Sequence, residues 1–270
     1  MKNILEAKFM VEAVRTLTNL YRLGWDERNG GNLSYLLYDE DIEGYLDTDK
    51  VIREIPMSFD ASAIKGKIFL VTGTGKYFKN VQYDPEENLG IIRISDKGNV
   101  AELLWGFSDG GKFTSELPAH LMSHMVRLEI DPAHRVVMHT HPTNTIAMSL
   151  VHDISPRAFT RTLWQMQTES IVVFPEGVAV LPWMVCGTND IGVATAEQLR
   201  SQRLCVWTAH GIYGTGRTLD EAFGLIETVE KAAQLYMLSA GLGIKNGITD
   251  DELRALAATF GLDYRREYLD

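Results

Sequence analysis

Cysteine is almost absent from this chain of 270 residues: there are two, Cys186 and Cys205, and no Cys-x-x-Cys. That excludes a disulfide framework and a zinc–cysteine site, and it fits a reducing cytoplasm. Both cysteines stand among apolar neighbours and read as small buried hydrophobes. Basic charge is also in short supply, with 26 Lys and Arg against 36 Asp and Glu, a net charge of −10 and a pI near 5.2. General binding to nucleic acid or to an anionic membrane surface wants basic faces, so neither is expected. An anionic substrate would have to be held by local devices, such as backbone N–H groups and a few placed cations. No apolar run approaches the roughly 20 residues that span a bilayer. The amphipathic start of the chain has no signal-peptide core, so the protein is expected in the cytoplasm. Internal repeats, low-complexity tracts and linker-like composition are missing too. With 45% apolar residues, one α/β domain over residues 1–270 is the economical expectation.

What the sequence does contain is a histidine pair, His139-Thr140-His141, at the end of the apolar run Val136-Val137-Met138. In a strand the two side chains point the same way, about 7 Å apart along the chain, and can grip one metal ion. In a helix they would lie on nearly opposite sides. The β-branched run before them argues for a strand. His210 precedes a glycine just beyond the apolar run 204–208, where a strand-end side chain faces a cleft. Three neutral imidazoles with open coordination suit a catalytic Zn²⁺, although H-x-H pairs also occur as ordinary strand residues. The other histidines read differently. His120 and His124, at i and i+4, form a helix surface or a subunit contact, and His134 and His152 lie in solvated turns.

Helices are expected over 4–23 with Gly24 as the stop, from Thr114 or Ser115 as N-cap to 130, from Asn144, around 157–167 and over 190–201. Capping boxes, Thr218 with Glu221 and Thr249 with Glu252, open the last two. Strands are expected over 33–38, 67–71, 89–95, 100–105 and 204–208, and 170–174 with 179–183 reads as a second hairpin. Residues 39–62 read as an exposed acidic loop without a role. The hairpins imply a sheet that is at least partly antiparallel. Two turns, Asn29-Gly30-Gly31-Asn32 and Thr72-Gly73-Thr74-Gly75-Lys76, could offer nests of N–H groups to a phosphate, with Thr114-Ser115 at a helix start as a third element. Glu116, in the first turn after two hydroxyls, is the candidate acid–base group; it is a plain surface glutamate unless the helix start faces the metal.

Taken in order, Arg28-Asn29-Gly30-Gly31-Asn32-Leu33-Ser34, Val71-Thr72-Gly73-Thr74-Gly75-Lys76, Thr114-Ser115-Glu116-Leu117-Pro118, His139-Thr140-His141 and Ala209-His210-Gly211 resemble the class II aldolase/adducin family over roughly residues 3–260. The resemblance implies a central, largely antiparallel sheet with helices on both faces. It implies one Zn²⁺ per subunit on His139, His141 and His210, and retro-aldol cleavage of an L-rhamnulose-type ketose 1-phosphate into dihydroxyacetone phosphate and L-lactaldehyde. Glu116 would exchange the proton at the carbon that becomes nucleophilic in the synthetic direction. Phosphate would lie near Asn29, Gly30, Asn32, Thr74, Gly75 and Ser115. Glu169 would reach the site from a neighbouring subunit of a homotetramer with active sites near its interfaces. Thr74 departs from the expected serine but keeps the hydroxyl. A related sugar-phosphate epimerase, or an aldolase for a fuculose- or ribulose-type phosphate, is the alternative. A non-catalytic adducin-like module is a third, and the three histidines with Glu116 speak against it.

Overall fold

Nine strands and eleven helices make up the computed structural model, which describes residues 1–270. The first part of the chain runs α1 (Lys8–Arg22), β1 (Asn32–Leu37), α2 (Asp39–Ile42), β2 (Arg53–Pro56), β3 (Ile68–Thr72), α3 (Phe78–Val81) and α4 (Pro85–Asn88). Next come β4 (Leu89–Ile94), β5 (Val100–Gly106), α5 (Leu117–Ile130), β6 (Val136–Thr140), α6 (Thr143–Val151), α7 (Pro156–Met166) and α8 (Thr168–Val173). The chain continues with β7 (Ala179–Leu181), α9 (Asn189–Gln198), β8 (Leu204–Trp207), β9 (Gly211–Gly216), α10 (Leu219–Ser239) and α11 (Asp250–Phe260). The strands form one open sheet in the order β2-β5-β4-β3-β1-β6-β9-β8-β7. Every pairing is antiparallel except β7 with β8.

Period-two alternation divides the strands between two faces. Leu33, Tyr35 and Leu37 of β1 join the large core formed with α1, α6, α7, α8, α10 and α11. Leu36 points the other way, into a cluster closed by Leu117 and Leu121 of α5. Val137 and Tyr213 likewise pack beneath Ala119 and Val126 of α5 and Ile191 and Ala196 of α9. Helices therefore cover both faces, as the family resemblance implies.

Several local expectations are corrected. Residues 39–62 are not merely an acidic loop: they hold α2 and the edge strand β2, and they bury Ile42, Ile55 and Ala61. Residues 170–183 do not form a hairpin, since Ile171 lies in α8 and β7 runs parallel to β8. The helix of Glu116 starts at Leu117, and the Thr114 hydroxyl instead accepts the Glu116 N–H at 3.2 Å. Thr218 caps α10, but the Glu221 carboxylate turns to the Arg217 N–H and to Arg203, so only Thr249 and Glu252 complete a capping box. His120, His124 and His134 are buried rather than solvated, and Cys186 is exposed whereas Cys205 is buried. No helix is long and apolar enough to cross a membrane.

Candidate metal centre and active-site cleft

Sheet register assembles the site. Asn32, the first residue of β1, pairs with His139 of β6, and His139 pairs with Tyr213 of β9. Directly opposed residues share a face, so these three side chains form a row beneath the start of α5. The His139 ring stacks on Tyr213 with centroids 4.4 Å apart. Just past the end of β6, His141 is tied down by its backbone N–H, which donates to the Trp25 carbonyl at 2.7 Å. His210 sits in the tight turn between β8 and β9, after Ala209 at φ 59°, a left-handed conformation uncommon for a residue with a Cβ. The His210 ring lies 5.0 Å from each of the other two rings, centroid to centroid.

Hydrogen bonds on the far side of two rings fix their tautomers. His139 Nδ1 lies 3.1 Å from the Ile212 carbonyl oxygen, which can only accept, so Nδ1 carries the hydrogen. His141 Nδ1 lies 3.1 Å from both oxygens of the Glu27 carboxylate, with the same consequence. Each ring thus turns its Nε2 inward, and the two Nε2 atoms are 3.2 Å apart. Burial, reinforced by His141 and His210, holds His139 well below the usual imidazole pKa, so its Nε2 is an open lone pair. One nitrogen from each of His139, His141 and His210 lies within 4.8 Å of the others. Three imidazoles, two held by outer partners, are a donor set that fits a divalent transition metal. The backbone leaves the rings no slack. A Cβ on Gly211 would sit 2.9 Å from carbons of both the His139 and His141 rings, and one on Gly30 would sit 2.8 Å from His141.

Glu116 stands at the N-cap of α5 and faces this cluster. Its Oε2 accepts from Asn32 Nδ2 at 3.0 Å and from the Tyr213 hydroxyl at 2.9 Å. The same oxygen is 3.5 Å from His139 Nε2, and Oε1 is 3.8 Å from His210 Nε2. Burial and the nearby Glu116 charge push the Tyr213 phenol up, keeping it a donor. Burial lowers His210, and the Glu116 charge opposes that shift.

A cleft of about 210 Å³ opens in front of the cluster, and Asn29, Gly30, Asn32, Thr74, Gly75 and Ser115 line it together with Glu116, His141 and His210. His139 lies behind this surface, fully buried. Glu169 does not line the cleft; it is exposed in the first turn of α8. Sequence reasoning missed Tyr213, Glu27 and Cys186, the last of which also lines the cleft. None of the three carries a local signal: Tyr213 lies in the glycine-rich run 211–216, and Glu27 and Cys186 lie outside any periodic element.

The family model for the class II aldolase and adducin N-terminal domain matches residues 11–237. A rhamnulose-1-phosphate aldolase of Listeria innocua serovar 6a is 57% identical over 100% of this chain and 99% of its own. One of Enterococcus faecalis is 55% identical over 99% of this chain and 96% of its own. Among solved structures, a sugar-phosphate aldolase from Thermotoga maritima superposes with a TM-score of 0.75 at 28% identity, covering 87% of this chain and 95% of that one. The chain belongs to the class II aldolase and adducin family.

Proposed function

We propose that the protein is a metal-dependent aldolase that cleaves L-rhamnulose 1-phosphate into dihydroxyacetone phosphate and L-lactaldehyde, acting as one catalytic domain over residues 1–270. Full-length identity to relatives named for that activity supports this choice of substrate. The observation that carries the chemistry is the Glu116 carboxylate, 3.5 Å from His139 within a cluster of three imidazoles. His139, His141 and His210 would hold one Zn²⁺ per chain. When bound, the ion supplies Lewis acidity for the negative charge left on the dihydroxyacetone phosphate fragment.

The chain's own residues do the rest. As the C3–C4 bond breaks, the hydroxyl on C4 loses its proton and C3 must gain one. The Glu116 carboxylate takes up the proton released at C4 and passes it to C3, and in synthesis it removes the C3 proton. Its Oε2 is occupied by Asn32 and Tyr213, which leaves Oε1 for the substrate. The turns at Asn29–Gly30 and Thr74–Gly75, with Ser115, would seat the phosphate on backbone N–H groups and hydroxyls, as an acidic protein requires. Glu169 would enter from a neighbouring subunit of a homotetramer; sedimentation of the active protein as a monomer would remove it from the site. Two free thiols and no disulfide suit a cytoplasmic enzyme.

Product analysis of the purified protein on L-rhamnulose 1-phosphate tests the reading. Stoichiometric lactaldehyde and dihydroxyacetone phosphate are expected. Epimerisation without cleavage would replace the reading with a sugar-phosphate epimerase, and no turnover would leave an interaction module.

A further inference from the structure

A line of buried hydrogen bonds leads away from Glu116 into the layer between β1 and α5, and its chemistry allows one direction only. A Glu116 carboxylate can only accept, so Asn32 must turn Nδ2 toward it, at 3.0 Å. Asn32 Oδ1 then faces His120 Nε2, which must carry a hydrogen. A neutral His120 leaves Nδ1 as an acceptor for the Ser34 hydroxyl at 2.7 Å. Ser34 Oγ in turn accepts from His124 Nε2 at 2.8 Å, and His124 Nδ1 accepts from His134 Nε2 at 2.9 Å. Each donor points toward the carboxylate. Asn32, Ser34, His120, His124 and His134 are all buried, the last four at 1% exposure or less. Burial holds His120 and His134 down to about 3, and His124 well below its ordinary value, so all three rings are neutral.

Such a line is an expensive way to fill the space under a helix. Leu117 and Leu121 on the same helix pack against the sheet with apolar side chains alone, and a half-satisfied polar network is worse than an apolar core. What the line does that leucines cannot is choose between the two orientations of an amide. The oxygen and nitrogen of Asn32 are nearly equal in size, and a flipped amide would turn Oδ1 against the Glu116 carboxylate. The His120 N–H forbids the flip, and Ser34, His124 and His134 fix which nitrogen of His120 carries it.

We propose that Ser34, His120, His124 and His134 are positioning residues that lock the Asn32 amide and, through it, the Glu116 carboxylate in the orientation its proton transfer needs. This rests on the assignment of Glu116 as the proton-transfer group. None of the four lines the cleft, so their effect belongs in kcat rather than in substrate binding.

The test combines imidazole ¹⁵N spectra of the histidine-labelled protein with kinetics of Ser34→Ala, His124→Phe and His124→Gln, metal content and melting temperature serving as controls. The wild type should show His120, His124 and His134 as neutral Nε2–H tautomers from about pH 5 to 8. Ser34→Ala and His124→Phe should keep their metal and lose about ten-fold in kcat, with KM changed less than about two-fold. His124→Gln, which keeps an N–H where His124 Nε2 stood, should recover most of the loss. Nδ1–H or charged rings in the wild type would overturn the proposal. So would wild-type kcat in both Ser34→Ala and His124→Phe, or equal losses in His124→Phe and His124→Gln, which would mark simple packing. A wild type that cleaves nothing would instead remove the aldolase reading, while the tautomers would still decide the direction of the line.

Discussion

The two oxygens of Glu116 differ in their surroundings, and the proposed proton transfer falls to the one without a hydrogen bond. Oε2 is held by Asn32 and Tyr213, and Oε1 lies 3.8 Å from His210 Nε2. Glu116→Gln keeps an acceptor for both donors and removes the basic oxygen. Metal content and melting temperature should stay at wild-type values while turnover falls by about 10²-fold or more. Near-normal turnover in that variant would take Glu116 out of the mechanism. Local pattern alone showed this residue as a first-turn glutamate, and the family resemblance supplied its role. Its meaning depends on partners 84 and 97 positions away, which no local pattern encodes.

The elements that were legible were those whose apolar period runs long or whose ends are punctuated. The 15 residues of α1, stopped by Gly24 in the left-handed region at φ 76°, belong to this class. So do the β4–β5 hairpin and the Thr249–Glu252 box. Short apolar runs misled. The run Ile171-Val172-Val173 suits a strand or a buried helical turn equally, and its packing against α10 and α11 decides for helix. The glycine-rich β9, Gly211–Gly216, gives no strand signal, because its backbone pairs between β6 and β8 while Gly214 lets Ile226 of α10 close in. One element bears on the site without touching it. The N-terminus of α6, two residues after His141, is clamped by the buried Glu230 carboxylate. That carboxylate accepts from the Asn144 and Thr145 N–H groups at 3.0 and 2.8 Å and from both their side chains at 2.7 Å. Glu230→Ala should lower stability by about 2–4 kcal/mol, since charge-assisted bonds and helix-dipole compensation are lost together. Chemical denaturation measures it, and a loss under about 0.5 kcal/mol would show that the clamp is dispensable.

At the scale of the whole molecule, the −10 net charge and the proposed anionic substrate are reconciled by placement. The acidic groups are spread over the protein, while the proposed phosphate seat is built from glycine, asparagine and hydroxyl residues of three separate turns meeting in one cleft. The three turns were readable and could be grouped as a cradle, but the cause of their convergence was not, because it depends on β1 pairing with β3 and on the Thr114 N–H donating to the Thr72 carbonyl at 2.9 Å. The same holds for the metal site. The His139–His141 pair was visible in a strand pattern, and His210 was brought to it by the pairing of β9 with β6. The central claim is that these three histidines hold a metal without which Glu116 cannot support cleavage. Its most direct test is lactaldehyde release by chelator-stripped protein as zinc is returned. The rate should be near zero without metal and rise linearly to a plateau at one zinc per chain; a full rate in metal-free protein would contradict the account.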